Sequence, residues 1–292
     1  MSTIMYNVSS LPAAIQRTIG VLIRRTKFWH QVPGDERYRF WETQSPDGDY
    51  SMEADLLVDL TTGYDLAYMA LNSPLARETL DQFKKKLRAD WETSKVTPYQ
   101  GEDLARLLAE YHGWFDRVFF FGLLCDLTME DGAFVAGENR IIRALQLHDI
   151  IRLPDTGESA HGIFNHLNGT LMLSLKLDTG EYESFEQVIC ALAHEMVHAY
   201  LTVLVRDTSP SRIFRDLHQD SGHGIQFYNL LHFILANLAL WVDDMPYVKA
   251  LAAATSRDSR SLSAQPALSD ADAMAEIRNT LSYRGRTFAW PR

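Results

Sequence analysis

The chain has 292 residues, 46% hydrophobic and 23% charged, a globular composition that excludes collagen-like, low-complexity and wholly disordered classes. The formal charge of −10 is uneven: residues 1–34 hold Arg17, Arg24, Arg25 and Lys27 with no acid, and from Ala252 onward six arginines meet four acids. The middle therefore carries about −16, which disfavours nucleic-acid backbones as partners, and two cysteines, Cys125 and Cys190, exclude a disulfide framework or a Cys-rich zinc module.

In residues 1–30, Ile15, Ile19, Leu22 and Ile23 share one helical face. The start lacks the pattern of a secretory signal and no run of 18 apolar residues exists, so the expected setting is intracellular, nuclear or cytoplasmic, with no membrane as partner. An acid-free amphipathic start is also compatible with organellar import. Ser73-Pro74 offers an N-cap followed by proline at the first helical position, and Ala76, Leu80, Phe83, Leu87 and Trp91 predict a helix over about 74–92. A break at Thr97–Gly101 precedes a second helix to about Phe120, built on Leu104, Leu107, Leu108, Tyr111, Trp114 and Phe115. The break divides a mainly helical extension, 1–101, from a second unit, 102–251.

Ile141–Leu153 and Gly162–Leu177 are rich in β-branched and apolar residues, with a turn at His166-Leu167-Asn168-Gly169, and they predict short strands. Ser184 with Gln187 forms a capping-box pattern ahead of a long buried helix over Val188–Val205. Residues 206–222 read as a loop, and another helix follows from about Gly224 to Leu240. From residue 252 the Ser/Arg/Ala-rich composition predicts a flexible tail to 292, with a short helix in Asp270–Tyr283.

The chemistry lies in His194-Glu195-Met196-Val197-His198, in the middle of the capped helix. Histidines four apart stack on one face, so both imidazoles can reach one ion at about 2.0–2.1 Å. Glu195 is rotated about 100° from His194, which aims its carboxylate at a water beside the ion rather than at the ion itself. A catalytic zinc needs a third protein ligand and an open position. Leu201 and Leu204 stand where HExxHxxGxxH would need Gly and His, and no glutamate occurs between Glu195 and Glu276. His218, His223, His232 and several aspartates remain. His223 is favoured, because Gly222 and Gly224 free the backbone around it and it opens a helix. His218 is its rival, and His232 reads as a core side chain. Tyr200 is a weak candidate for stabilising an oxyanion, since an aromatic there more often packs.

The run HEMVHAYL (194–201) followed by His223-Gly224-Ile225-Gln226-Phe227 resembles the SprT-like metallopeptidases, whose pattern is HExxHAY followed by HGxxF. Residues 107–124 resemble that family's opening helix, and Ala160–Ile163 with Leu171–Ser174 are similar to its strand pair. The resemblance covers about residues 102–250 and implies a zincin-like α+β domain, Zn2+ held by His194, His198 and His223, and Glu195 as catalytic base. It implies protein substrates, among which the family includes proteins crosslinked to DNA. Two departures stand out: the loop between His198 and His223 is about ten residues longer than usual in the family, and no zinc ribbon follows. A non-proteolytic, zinc-stabilised interaction protein is the alternative, against which the retained Glu195 counts.

Overall fold

The computed structural model describes residues 54–63, 74–120, 124–125, 127–130, 133–136, 142–153, 157–165, 168–205, 223–265, 269 and 271–273. The amphipathic start, Ser73, His218 and most of Asp270–Tyr283 lie outside them. The elements in chain order are α1 (Ala54–Gly63), α2 (Pro74–Val96), α3 (Gly101–Phe119), β1 (Leu127–Glu130), β2 (Ala133–Ala136), β3 (Ala144–His148), β4 (Ile151–Arg152), β5 (Ser159–Ala160), β6 (Gly162–Asn165), β7 (Thr170–Ser174), α4 (Phe185–Leu204), α5 (Ile225–Trp241) and α6 (Pro246–Ser263). The class is α+β, as expected. Among the described residues no helix is long and apolar enough to cross a membrane.

The central sheet has the order β3-β7-β6, with β3 parallel and β6 antiparallel to β7. β6 is thus an edge strand, its Gly162 opposite Leu173 and its Asn165 opposite Thr170. Two short antiparallel ribbons, β1-β2 and β4-β5, flank it in sequence. Helix α4 lies against β6 and β7. Apolar nearly all round, α4 is buried between that sheet and the helices α3, α5 and α6.

Packing runs across two boundaries expected from a turn signal and a change in composition. Phe83 of α2 is fully buried, and its ring meets Tyr111, Trp114, Phe115 and Phe119 of α3 and Trp241 of α5 at centroid distances of 5.8–6.3 Å. Leu57, Leu80 and Leu87 join the same cluster as α4. Gly101, at φ +52°, is therefore a turn between packed helices and not the edge of a separately cored unit. The tail expected from residue 252 is likewise helical through Ser263. Ala252, Thr255 and Leu262 are buried, and Ser259 Oγ donates to Asn229 Oδ1 of α5 at 2.5 Å. Small residues there let α6 approach α5 closely, a packing role that composition alone reads as linker.

Candidate metal centre

Helix α4 starts where the sequence places it. Ser184 Oγ accepts from the Gln187 N–H at 3.3 Å, and Gln187 Oε1 accepts from the Ser184 N–H at 2.8 Å, so two otherwise orphaned donors are satisfied. Two and a half turns on, His194 and His198 emerge on one face. His223 enters from the residue before Gly224, the N-cap of α5. The three Nε2 atoms form a near-equilateral triangle with sides of 3.1, 3.1 and 3.2 Å. Phe227, one turn into α5 and buried, backs all three rings at centroid distances of 4.8, 4.4 and 4.5 Å from His194, His198 and His223.

This geometry fits a cation. Each Nε2 has a single in-plane lone-pair or N–H direction, so a ring of three cannot be satisfied by hydrogen bonds that each bend toward one neighbour. One ion about 2.0–2.1 Å from each nitrogen serves all three, and the 3.1–3.2 Å sides then give N–ion–N angles of about 100°, near tetrahedral. The His194, His198 and His223 group could hold a metal ion. His232, the weaker candidate, has its Nδ1–H directed to the Ala252 carbonyl at 2.8 Å, a satisfied side chain between α5 and α6.

Burial sets the electrostatics. His194 is held well below the usual imidazole range, first by desolvation and then by His198, His223 and His161. A neutral imidazole is the form that ligates. Glu195 is 4% exposed, and its Oε1 lies 3.8 Å from His194 Nε2. Desolvation raises its carboxyl to about 8, opposed by the N–H of Phe164 on strand β6, which donates to it.

The wall beside Glu195 is Gly162. A Cβ there would stand 2.6 Å from Glu195 Cγ and 3.0 Å from its Oε1. In the sequence Gly162 only opens a strand pattern; nothing local distinguishes a glycine that admits a carboxylate from one that begins a turn. Tyr200 is placed elsewhere than an oxyanion role requires. It is fully buried, with its hydroxyl 3.0 Å from Thr61 Oγ1 of α1 and its ring 5.1 Å from that of Phe120.

No family model, curated protein or solved structure matches the chain significantly.

Proposed function

We propose that the chain is a zinc-dependent endopeptidase of the SprT-like type, with a zincin-like arrangement of active-site helix α4 against the sheet that ends in edge strand β6. The observation that carries this reading is the Nε2 triangle of His194, His198 and His223 with the Glu195 carboxylate 3.8 Å from its nearest corner. Three imidazoles with an open fourth position are the donor set of a catalytic zinc site, and a borderline-soft ion is what nitrogen ligands favour. Zinc, when bound, lowers the pKa of its water towards about 7 and polarises a carbonyl oxygen.

The protein's own groups supply the rest. His194, His198 and His223 hold the ion, and Phe227 fixes their planes. Glu195 takes the proton from the attacking water and delivers it to the departing amine. The Phe164 N–H and the missing side chain at Gly162 keep its carboxylate beside the histidines. Substrates are proteins, and the acidic middle of the chain favours those not bound to DNA.

Glu195→Gln tests the reading. The isosteric amide leaves the fold and the three ligands intact, so zinc content should match wild type while cleavage of an unfolded protein such as casein falls by about 10⁴-fold or more, the upper end for general-base catalysis. Equal cleavage by both proteins would falsify the peptidase assignment. A companion comparison concerns the third ligand: His223→Ala should strip zinc and His218→Ala should retain it, and the opposite result would reassign the ligand to the loop.

A further inference from the structure

An oxyanion forms as a peptide carbonyl is attacked, and it needs a hydrogen-bond donor besides the metal. Tyr200, tied to Thr61 in the core, does not supply it. A second acid–imidazole pair stands nearby. His161 Nδ1 lies 2.6 Å from Glu183 Oε1, with the His161 side chain 28% exposed and that of Glu183 1% exposed. Both residues are hooked to consecutive positions at the end of β7. The Ser174 N–H donates to the His161 carbonyl at 2.8 Å, and the Glu183 N–H donates to the Leu175 carbonyl at 2.9 Å. The sheet and the start of α4 therefore fix the pair.

Glu183 Oε2 is buried and makes no hydrogen bond among the described residues. A buried carboxylate with an unmet oxygen is costly to the fold, and such groups are found where a site needs them. His161 directly precedes Gly162, the residue that packs against Glu195. A buried carboxyl group thus orients a partly exposed imidazole one residue from the glycine that packs against Glu195, the relation of orienter to acting group seen in catalytic dyads.

We propose that His161 is the hydrogen-bond donor to the reacting carbonyl oxygen of the substrate, and that Glu183 is its positioning residue. The inference rests on the peptidase reading. As the water oxygen bonds to the carbonyl carbon, the π pair moves onto the carbonyl oxygen, which accepts the hydrogen bond from His161 Nε2–H. The pair on oxygen then returns to re-form the carbonyl as the C–N bond breaks with its electron pair going to nitrogen, and nitrogen takes the proton that Glu195 removed from the water. His161 transfers no atom. With Nδ1 taken up by the bond to Glu183 Oε1, Nε2 is the ring nitrogen left to face the substrate.

The test uses the full-length zinc-loaded protein, casein as substrate and a phosphinic tripeptide as oxyanion mimic. His161→Ala should lower kcat by about 10²–10³-fold with KM nearly unchanged, and weaken the phosphinic peptide correspondingly, at wild-type zinc content. His161→Gln, which retains an N–H donor, should recover part of the loss, and Glu183→Gln should fall between. In the same zinc-loaded protein, NMR should show a far-downfield Nδ1 proton that disappears in Glu183→Gln. Should His161→Ala fail to fold, the two glutamine variants carry the comparison.

Glu195→Gln is assayed alongside. If it is inactive while His161→Ala keeps wild-type kcat and inhibitor affinity, this inference falls and the peptidase reading stands. If wild type does not cleave, or cleaves no faster than Glu195→Gln, the peptidase reading itself falls and takes the inference with it. A His161→Ala defect explained by lost zinc also overturns the inference, because the residue would then be supporting the ion.

Discussion

Gly162→Ala isolates how strand β6 seats the proposed base. The new methyl would lie 2.6 Å from Glu195 Cγ, 3.0 Å from Glu195 Oε1 and 3.0 Å from Leu173 Cδ2. Carbon–carbon contacts are comfortable at about 3.5–4.0 Å, so something must yield by roughly 1 Å. The β6 backbone is held by its register with β7, and Leu173 is 1% exposed within the core, which leaves the Glu195 side chain as the part that turns aside. Overpacking of this kind costs about 1–3 kcal/mol of stability. Displacing a reacting group by about 1 Å costs on the order of 10²-fold in rate. Casein cleavage at matched zinc content should therefore drop about a hundredfold in Gly162→Ala, while the histidines, untouched by the methyl, keep the ion. Since the lesion acts through Glu195, adding it to Glu195→Gln should cause no further loss of activity. Wild-type cleavage by Gly162→Ala would refute the seating of Glu195 by this strand, and so would a further loss in the double variant as large as that in the single one.

Three other outcomes follow from the packing. Phe227→Ala removes the ring against which all three imidazoles lean, and it should cost about 3–5 kcal/mol of stability and weaken metal affinity by about 10–100-fold in a chelator competition; unaltered affinity would mean that the ligands hold themselves. Tyr200→Phe breaks the bond to Thr61, which keeps its other bond to the Leu57 carbonyl, so the melting temperature should fall by the equivalent of about 0.5–1.5 kcal/mol with cleavage unchanged. A large loss of kcat with the fold intact would return Tyr200 to the active site. Asp116 is fully buried, and desolvation lifts its carboxyl from 3.8 to about 7 against the N–H groups of Leu124 and Cys125. With the folded value above the unfolded one, its protonated form favours folding. The contribution is complete below about 4, is lost as pH rises towards about 7, and has an upper bound of about 4 kcal/mol. Asp116→Asn should flatten that slope in melts between pH 4 and 8, and parallel curves for the two proteins would contradict it.

What could be read from the sequence was local. The capping box at Ser184 and Gln187, the helical spacing of His194 and His198, and the glycine-flanked His223 ahead of an apolar helix all rest on interactions within a few residues, and all appear as expected. Phe227 was visible as part of a motif, but not as the floor beneath three imidazoles. The contacts that the sequence leaves open share a cause. Tyr200 and Thr61 are 139 residues apart, and no periodicity announces that contact. The boundaries near Gly101 and Ala252 rest on a turn signal and a change in composition, whereas Phe83 meets Trp241 and Ser259 meets Asn229 only in the folded chain.

The same long-range contacts bear on how the site is held. A helix that presents two candidate ligands on one face must be fixed in rotation, because a turn of one residue, about 100°, would carry His194 and His198 away from His223 together. Helix α4 is fixed on three sides. The sheet meets it at Gly162 and Phe164, α5 presses Phe227 onto its histidines, and α1 reaches Tyr200 through Thr61. Glu186, in its first turn, accepts the Val248 N–H at the start of α6 at 3.0 Å, so the segment once read as leading into a tail also anchors the helix that carries the ligands. Thr61, beyond the expected boundary near Gly101, and Val248, in the helix that runs across the one at Ala252, thus help to set the angle at which His194 and His198 point into the group that could hold a metal ion.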